Sequence, residues 1–62
     1  MNIYLDVTTS KIGNSLLIRI PHIVAVEAQD SGQTIIYTVS GDSFIVREKY
    51  EDVTRRMGSI AL

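Results

Sequence analysis

Apolar and polar residues alternate with a period of two along most of this chain, and only the stretch after Glu48 changes period. In residues 3–9, Ile3, Leu5 and Val7 fall on one face and Tyr4, Asp6 and Thr8 on the other, the mark of a half-buried strand. Residues 15–20 repeat the pattern, with Leu16, Ile18 and Ile20 on one side and Leu17 and Arg19 on the other. Between these runs, Gly13 and Asn14 tolerate the positive φ that a tight hairpin demands. Pro21 has no amide hydrogen and biases Ile20 toward extended geometry, so a strand ends there. Residues 23–28, Ile-Val-Ala-Val-Glu-Ala, admit a strand or a short helix; the β-branched side chains and the missing cap favour the strand. After the turn cluster Gln29–Gln33, the run 34–39 is apolar on both faces at Ile35 and Ile36. Ser40-Gly41-Asp42 turns the chain, and residues 43–47 return through Phe44, Ile45 and Val46.

From Glu48 the period becomes helical, with Tyr50, Val53 and Met57 at i, i+3 and i+7, which predicts a helix over about 49–57. Glu51–Arg55 and Asp52–Arg56 are spaced as i,i+4 pairs with the acid first, the favourable order. Glu48, Glu51 and Asp52 read as first-turn acids and the arginines as last-turn cations, which suits the helix dipole. Gly58 reads as the stop. The prediction is a mainly β (α+β) chain forming one small domain over 1–62. Its architecture is a small antiparallel sheet or open barrel of about five strands, capped by one C-terminal helix through its Tyr50/Val53/Met57 face.

Length and composition narrow the picture. A chain of 62 residues buries a modest fraction of its surface, and domains of this size usually need a staple. There is no cysteine, so disulfides and thiolate metal sites are excluded, and the single His22 makes no metal site without several carboxylates. Oligomerisation is the remaining staple, and unpaired strand edges favour it. A net charge of −1 gives no general basic field for nucleic acid, although Lys11, Arg19, Arg47, Lys49, Arg55 and Arg56 leave room for a local patch. No apolar run is long enough to span a membrane and no leader pattern opens the chain, so a cytoplasmic protein is expected.

Candidate chemistry is sparse. A catalytic carboxylate pair needs a pocket that pushes two pKa values apart. Here Asp30 and Asp42 sit in turns, where bonding to the local backbone is the ordinary role of such residues. His22 follows Pro21 at a strand boundary with no nucleophile pattern or second histidine, and reads as a surface residue. Tyr4, Tyr37, Phe44 and Tyr50 are the elements of a base-stacking platform, but Tyr50 and Phe44 read as core and Tyr4 alone as outward-facing. The expectation is therefore no enzyme, no catalytic residue, no cofactor and no metal.

Two resemblances bear on function. Lys11-Ile12-Gly13-Asn14-Ser15-Leu16-Leu17-Ile18-Arg19-Ile20-Pro21 resembles the signature of AbrB/MazE-type swapped-hairpin regulators and antitoxins. That resemblance implies interleaved chains and DNA contacts at Lys11, Asn14 and Arg19; arginine suits bidentate recognition and asparagine suits adenine. The family places a short helix after the proline, where this chain has Ile23-Val24-Ala25-Val26. From Ile20 to Met57, the order of apolar runs, Ser-Gly-Asp turn, Phe-Ile-Val-Arg-Glu and helix is similar to small FlbD/SwrD-type proteins and to half of a LytTR domain. This second resemblance implies a small β-rich module ending in a helix, and it carries no functional residues with it.

The leading expectation is a small non-enzymatic regulator or adaptor that binds a protein partner as a homo-oligomer. The alternatives are an AbrB/MazE-type DNA-binding regulator or antitoxin, and a phage-type small inhibitor or ligand-sequestering oligomer. Residues 23–28 discriminate: a strand goes with the adaptor, a helix with interleaved chains goes with the swapped hairpin.

Overall fold

Each alternating run becomes a strand. The computed structural model describes residues 3–61, with side chains through Gly58. The elements are β1 (Tyr4–Thr8), β2 (Ser15–Arg19), a single 3₁₀ turn (Ile20–His22), β3 (Ile23–Ala28), β4 (Thr34–Thr38), β5 (Ser43–Val46) and α1 (Tyr50–Ala61). Among the described residues the fold is mainly β, with five strands in two antiparallel sheets and one C-terminal helix, and the strands do not close into a barrel. Residues 23–28 are strand.

β1 and β2 form one sheet without a register break, from Tyr4 opposite Arg19 to Thr8 opposite Ser15. β3, β4 and β5 form the other in sequence order, with a register shift between Ile23 and Ala25. The two sheets meet where β1 runs on past Thr8. Thr9 bridges Val46, the Ser10 N–H donates to the Ile45 carbonyl at 2.9 Å, and the Arg47 N–H donates to the Thr8 carbonyl at 2.9 Å. In the β1–β2 turn, Gly13 stands at φ +72°, the left-handed region where a Cβ is strained, and its N–H donates to the Thr9 carbonyl at 3.1 Å. Asn14, the other residue able to tolerate a positive φ here, does not take one, since the described residues with positive φ are all glycines. Gly13 alone supplies the reversal.

The core is small: Leu5, Val7, Ile18, Ile20, Ile36, Val46 and Val53 are buried, with Leu16, Ile23, Val26, Phe44 and Met57 packed around them. Apart from Val53 on the helix, the buried residues come from the apolar runs of the β region. Fully burying an aliphatic side chain contributes about 1.5–3 kcal/mol, so Val53, completely covered, is the anchor of the helix. Tyr50, expected on the same core face, is 40% exposed. It is the first residue of the helix, a turn before the buried Val53. The helix also continues through Gly58 to Ala61 instead of stopping there. Gly58 has no neighbour within 4 Å of where a Cβ would lie, so it is an ordinary helical position. Among the described side chains the ion pair on the helix is Arg55–Asp52 at 3.2 Å, an i,i+3 pair. The expected i,i+4 pairs Glu51–Arg55 and Asp52–Arg56 are not formed: Arg55 goes to Asp52 instead, and Arg56 turns to the Asp6 carbonyl at 2.8 Å.

Candidate functional site

Several large apolar side chains stand exposed on the described surface. Among the described residues, Ile3, Tyr4, Ile12, Leu17, Val24, Val39, Ile45 and Tyr50 are large hydrophobics left exposed, and they outnumber the seven buried core residues. Scattered exposed apolar residues need no explanation, whereas grouped ones mark interaction surfaces. Two groups stand out.

The first lies where the β1–β2 turn meets the outer face of β5. Ile12, at the turn tip, is 74% exposed and Ile45 is 45% exposed; together they line an open groove of about 520 Å³. Lys11, Asn14 and Gln33 form its polar rim. The turn is held in place by bonds that cross between the two sheets. The Gln33 amide donates to the Ser10 hydroxyl, and the Arg47 Nε donates to the Ser10 carbonyl at 3.3 Å. The Arg47 guanidinium also lies 3.0 Å from where a Cβ on Gly13 would be, so the turn is packed closely over it. An apolar centre with a polar rim on a braced turn suits recognition of a protein surface.

The second group runs beside β2, where Leu17 and Val39, each 62% exposed, line a groove of about 370 Å³ with Leu16, Phe44, Arg19 and Asp42. Arg19 also sits with its guanidinium carbon 5.9 Å from the centre of the Tyr4 ring, within cation–π range.

The residues singled out for DNA contact are only partly brought together. Lys11 and Asn14 line the same groove. Arg19 lies at the other end of β2, about 16 Å along the strand at its normal rise per residue. The aromatic residues are dispersed: Tyr4 on β1, Tyr37 on β4, Phe44 on β5 against the core, and Tyr50 on the helix. His22 is exposed in the 3₁₀ turn.

The acids serve the scaffold. The Tyr37 hydroxyl donates to Glu27 at 2.7 Å, and that bond, some burial and the Glu27 charge raise the tyrosine's pKa. Asp42 accepts from the Ser40 hydroxyl at 3.0 Å. Glu48, read from the sequence as a first-turn helix acid, precedes the helix and acts as a clamp. Its carboxylate accepts from the Thr8 N–H and from the Thr8 hydroxyl, both at 2.9 Å, while its own carbonyl accepts from the Thr34 hydroxyl at 2.7 Å. Burial pushes this carboxyl upward, the largest single influence. The Thr8 and Glu48 N–H groups, the Thr8 hydroxyl and the Arg56 charge outweigh it, so its pKa is lowered. Thr34 is wholly buried and sequence alternation gave no sign of its role. A threonine inside an Ile-rich run is the one available signal, since a buried hydroxyl needs a partner.

Among the described residues no cluster of three His, Asp or Glu side chains is placed to hold a metal, and no helix is long and apolar enough to cross a membrane. No protein family, curated protein or solved structure matches this chain.

Proposed function

We propose that this chain is a small non-enzymatic adaptor or regulator, working as a homo-oligomer and binding a protein partner through the groove at the β1–β2 turn. The observation that carries the reading is the braced, exposed pair Ile12 and Ile45 inside a rim of Lys11, Asn14 and Gln33. Apolar area of this kind releases about 25 cal/mol per Å² when covered, and binding is the way for a folded chain to cover it. The strand at residues 23–28 supports the adaptor over an interleaved swapped hairpin. A β-rich module ending in a helix is also what the likeness to FlbD/SwrD-type proteins implies, and that likeness is part of the proposal.

The DNA-binding alternative draws on Lys11 and Asn14 sharing one groove, but the distance to Arg19 leaves the three without a common patch in one chain. The test is paired. Chemical crosslinking in the native cell should trap a defined partner with the wild-type chain and lose it with Ile12→Asp, a change at an exposed position that leaves the fold intact. Duplex DNA titrated at about 50 and 200 mM salt should show no binding. A complex that weakens steeply with salt and disappears in Arg19→Ala would instead establish the DNA reading, because phosphate contacts release counterions.

A further inference from the structure

We propose that β2 is the edge through which a second copy of this chain pairs, antiparallel and two-fold symmetric about Leu17. This rests on the homo-oligomer reading above and extends it by naming the strand and the register.

Hydrogen bonds at both ends of the β1–β2 hairpin fix which groups are free. The Ile20 N–H donates to the Ile3 carbonyl at 2.8 Å and the Thr9 N–H to the Asn14 carbonyl at 2.9 Å. In an antiparallel ladder bonded pairs alternate, so the main-chain groups of Leu16 and Ile18 point to β1. Those of Ser15, Leu17 and Arg19 point to the open side, where β2 has no strand neighbour among the described residues. Proteins protect such edges with bulges, prolines or lysines, and β2 carries none of these within its length. The outer edges of β1 and β5 meet each other at one end through Thr9 and Val46, and β3 is guarded: its register shifts at Val24 and α1 packs against it. β2 is the unprotected edge.

The strand is also self-complementary. A two-fold axis at Leu17 sets that side chain against the partner's Leu17, Ser15 opposite the partner's Arg19, and Leu16 opposite the partner's Ile18. No like charges face each other. Arg19 and Asp42 both line the adjoining groove, so two copies meet there with cationic and anionic groups on each side. A stable interface buries about 800 Å² per partner, more than a short strand edge supplies. Val39, 62% exposed beside the groove, and Phe44 extend the apolar area beyond it.

The chain has no cysteine, which permits a clean test of register. In a bonded antiparallel pair the Cα atoms lie about 5.5 Å apart, within disulfide reach. Mild oxidation of Leu17→Cys should therefore yield a covalent dimer. Ser15→Cys alone should not, because the two copies of residue 15 are about 14 Å apart along the ladder. A mixture of Ser15→Cys and Arg19→Cys should link. Leu17→Lys, which opposes two charges at the axis and removes the buried apolar pair, should weaken self-association about tenfold, while Ile12→Lys on the other groove should not. A wild-type chain that is monomeric at every concentration overturns both this inference and the oligomer reading. A wild-type oligomer that survives Leu17→Lys and gives no Leu17→Cys disulfide overturns the β2 edge alone.

Discussion

Glu48 and Thr34 join parts of the chain that are far apart in sequence, and neither role was legible from local pattern. Glu48 sits two residues before the helix, so a dipole role was the natural reading, but its partner Thr8 is 40 residues away. Thr34 looks like a strand-surface threonine until Glu48 offers it a carbonyl. Thr34→Val keeps the shape and leaves that carbonyl without its donor, and should cost about 1–2 kcal/mol in chemical denaturation. Glu48→Ala should cost about 2 kcal/mol by losing two charge-assisted bonds, and Glu48→Gln less. The direction of the carboxyl shift fixes the pH dependence. Its folded pKa lies below the ordinary value, so the stabilisation is complete above that ordinary value and is lost as the pH falls through the lowered one. Thermal melts of the wild type should therefore drop on acidification through the carboxylate range. Glu48→Gln should flatten part of that drop.

At the scale of elements, hydrophobic periodicity located all five strands and the helix, because each buries one face and the pattern of burial is local. It failed at ends and rotations, where tertiary contact decides. Gly58 has the residue type of a helix stop, yet nothing in its surroundings enforces one and the helix continues. Gly58→Ala should raise stability by about 0.5–1 kcal/mol, read from the melting temperature, since alanine costs less helical entropy than glycine. Gly13 is the opposite case. Its φ of +72° and the Arg47 guanidinium 3.0 Å from the Cβ position make Gly13→Ala both strained and crowded. It should destabilise by about 1 kcal/mol and displace Arg47 from the Ser10 carbonyl, visible as a shift of the Ser10 and Arg47 amide resonances.

For the whole molecule, the sequence period says which face of each strand is buried but not which strands are neighbours. The join between β1 and β5 through Thr9 and Val46 is therefore a product of packing, as is the division into two sheets. The candidate surface was partly legible. Lys11 and Asn14 were marked by a motif, while Ile12 and Ile45 were read only as turn and strand residues, and their meeting depends on that non-local join. Among the described residues the exposed large hydrophobics outnumber the buried ones, and this is the observation on which the proposed association rests. The most direct measurement is light scattering of the purified chain across a concentration series, with and without duplex DNA at two salt concentrations. The account predicts a mass that is a multiple of the 6.9 kDa chain and is unchanged by DNA at either salt. A 6.9 kDa monomer throughout, or a DNA complex that dissolves as salt rises, would contradict it.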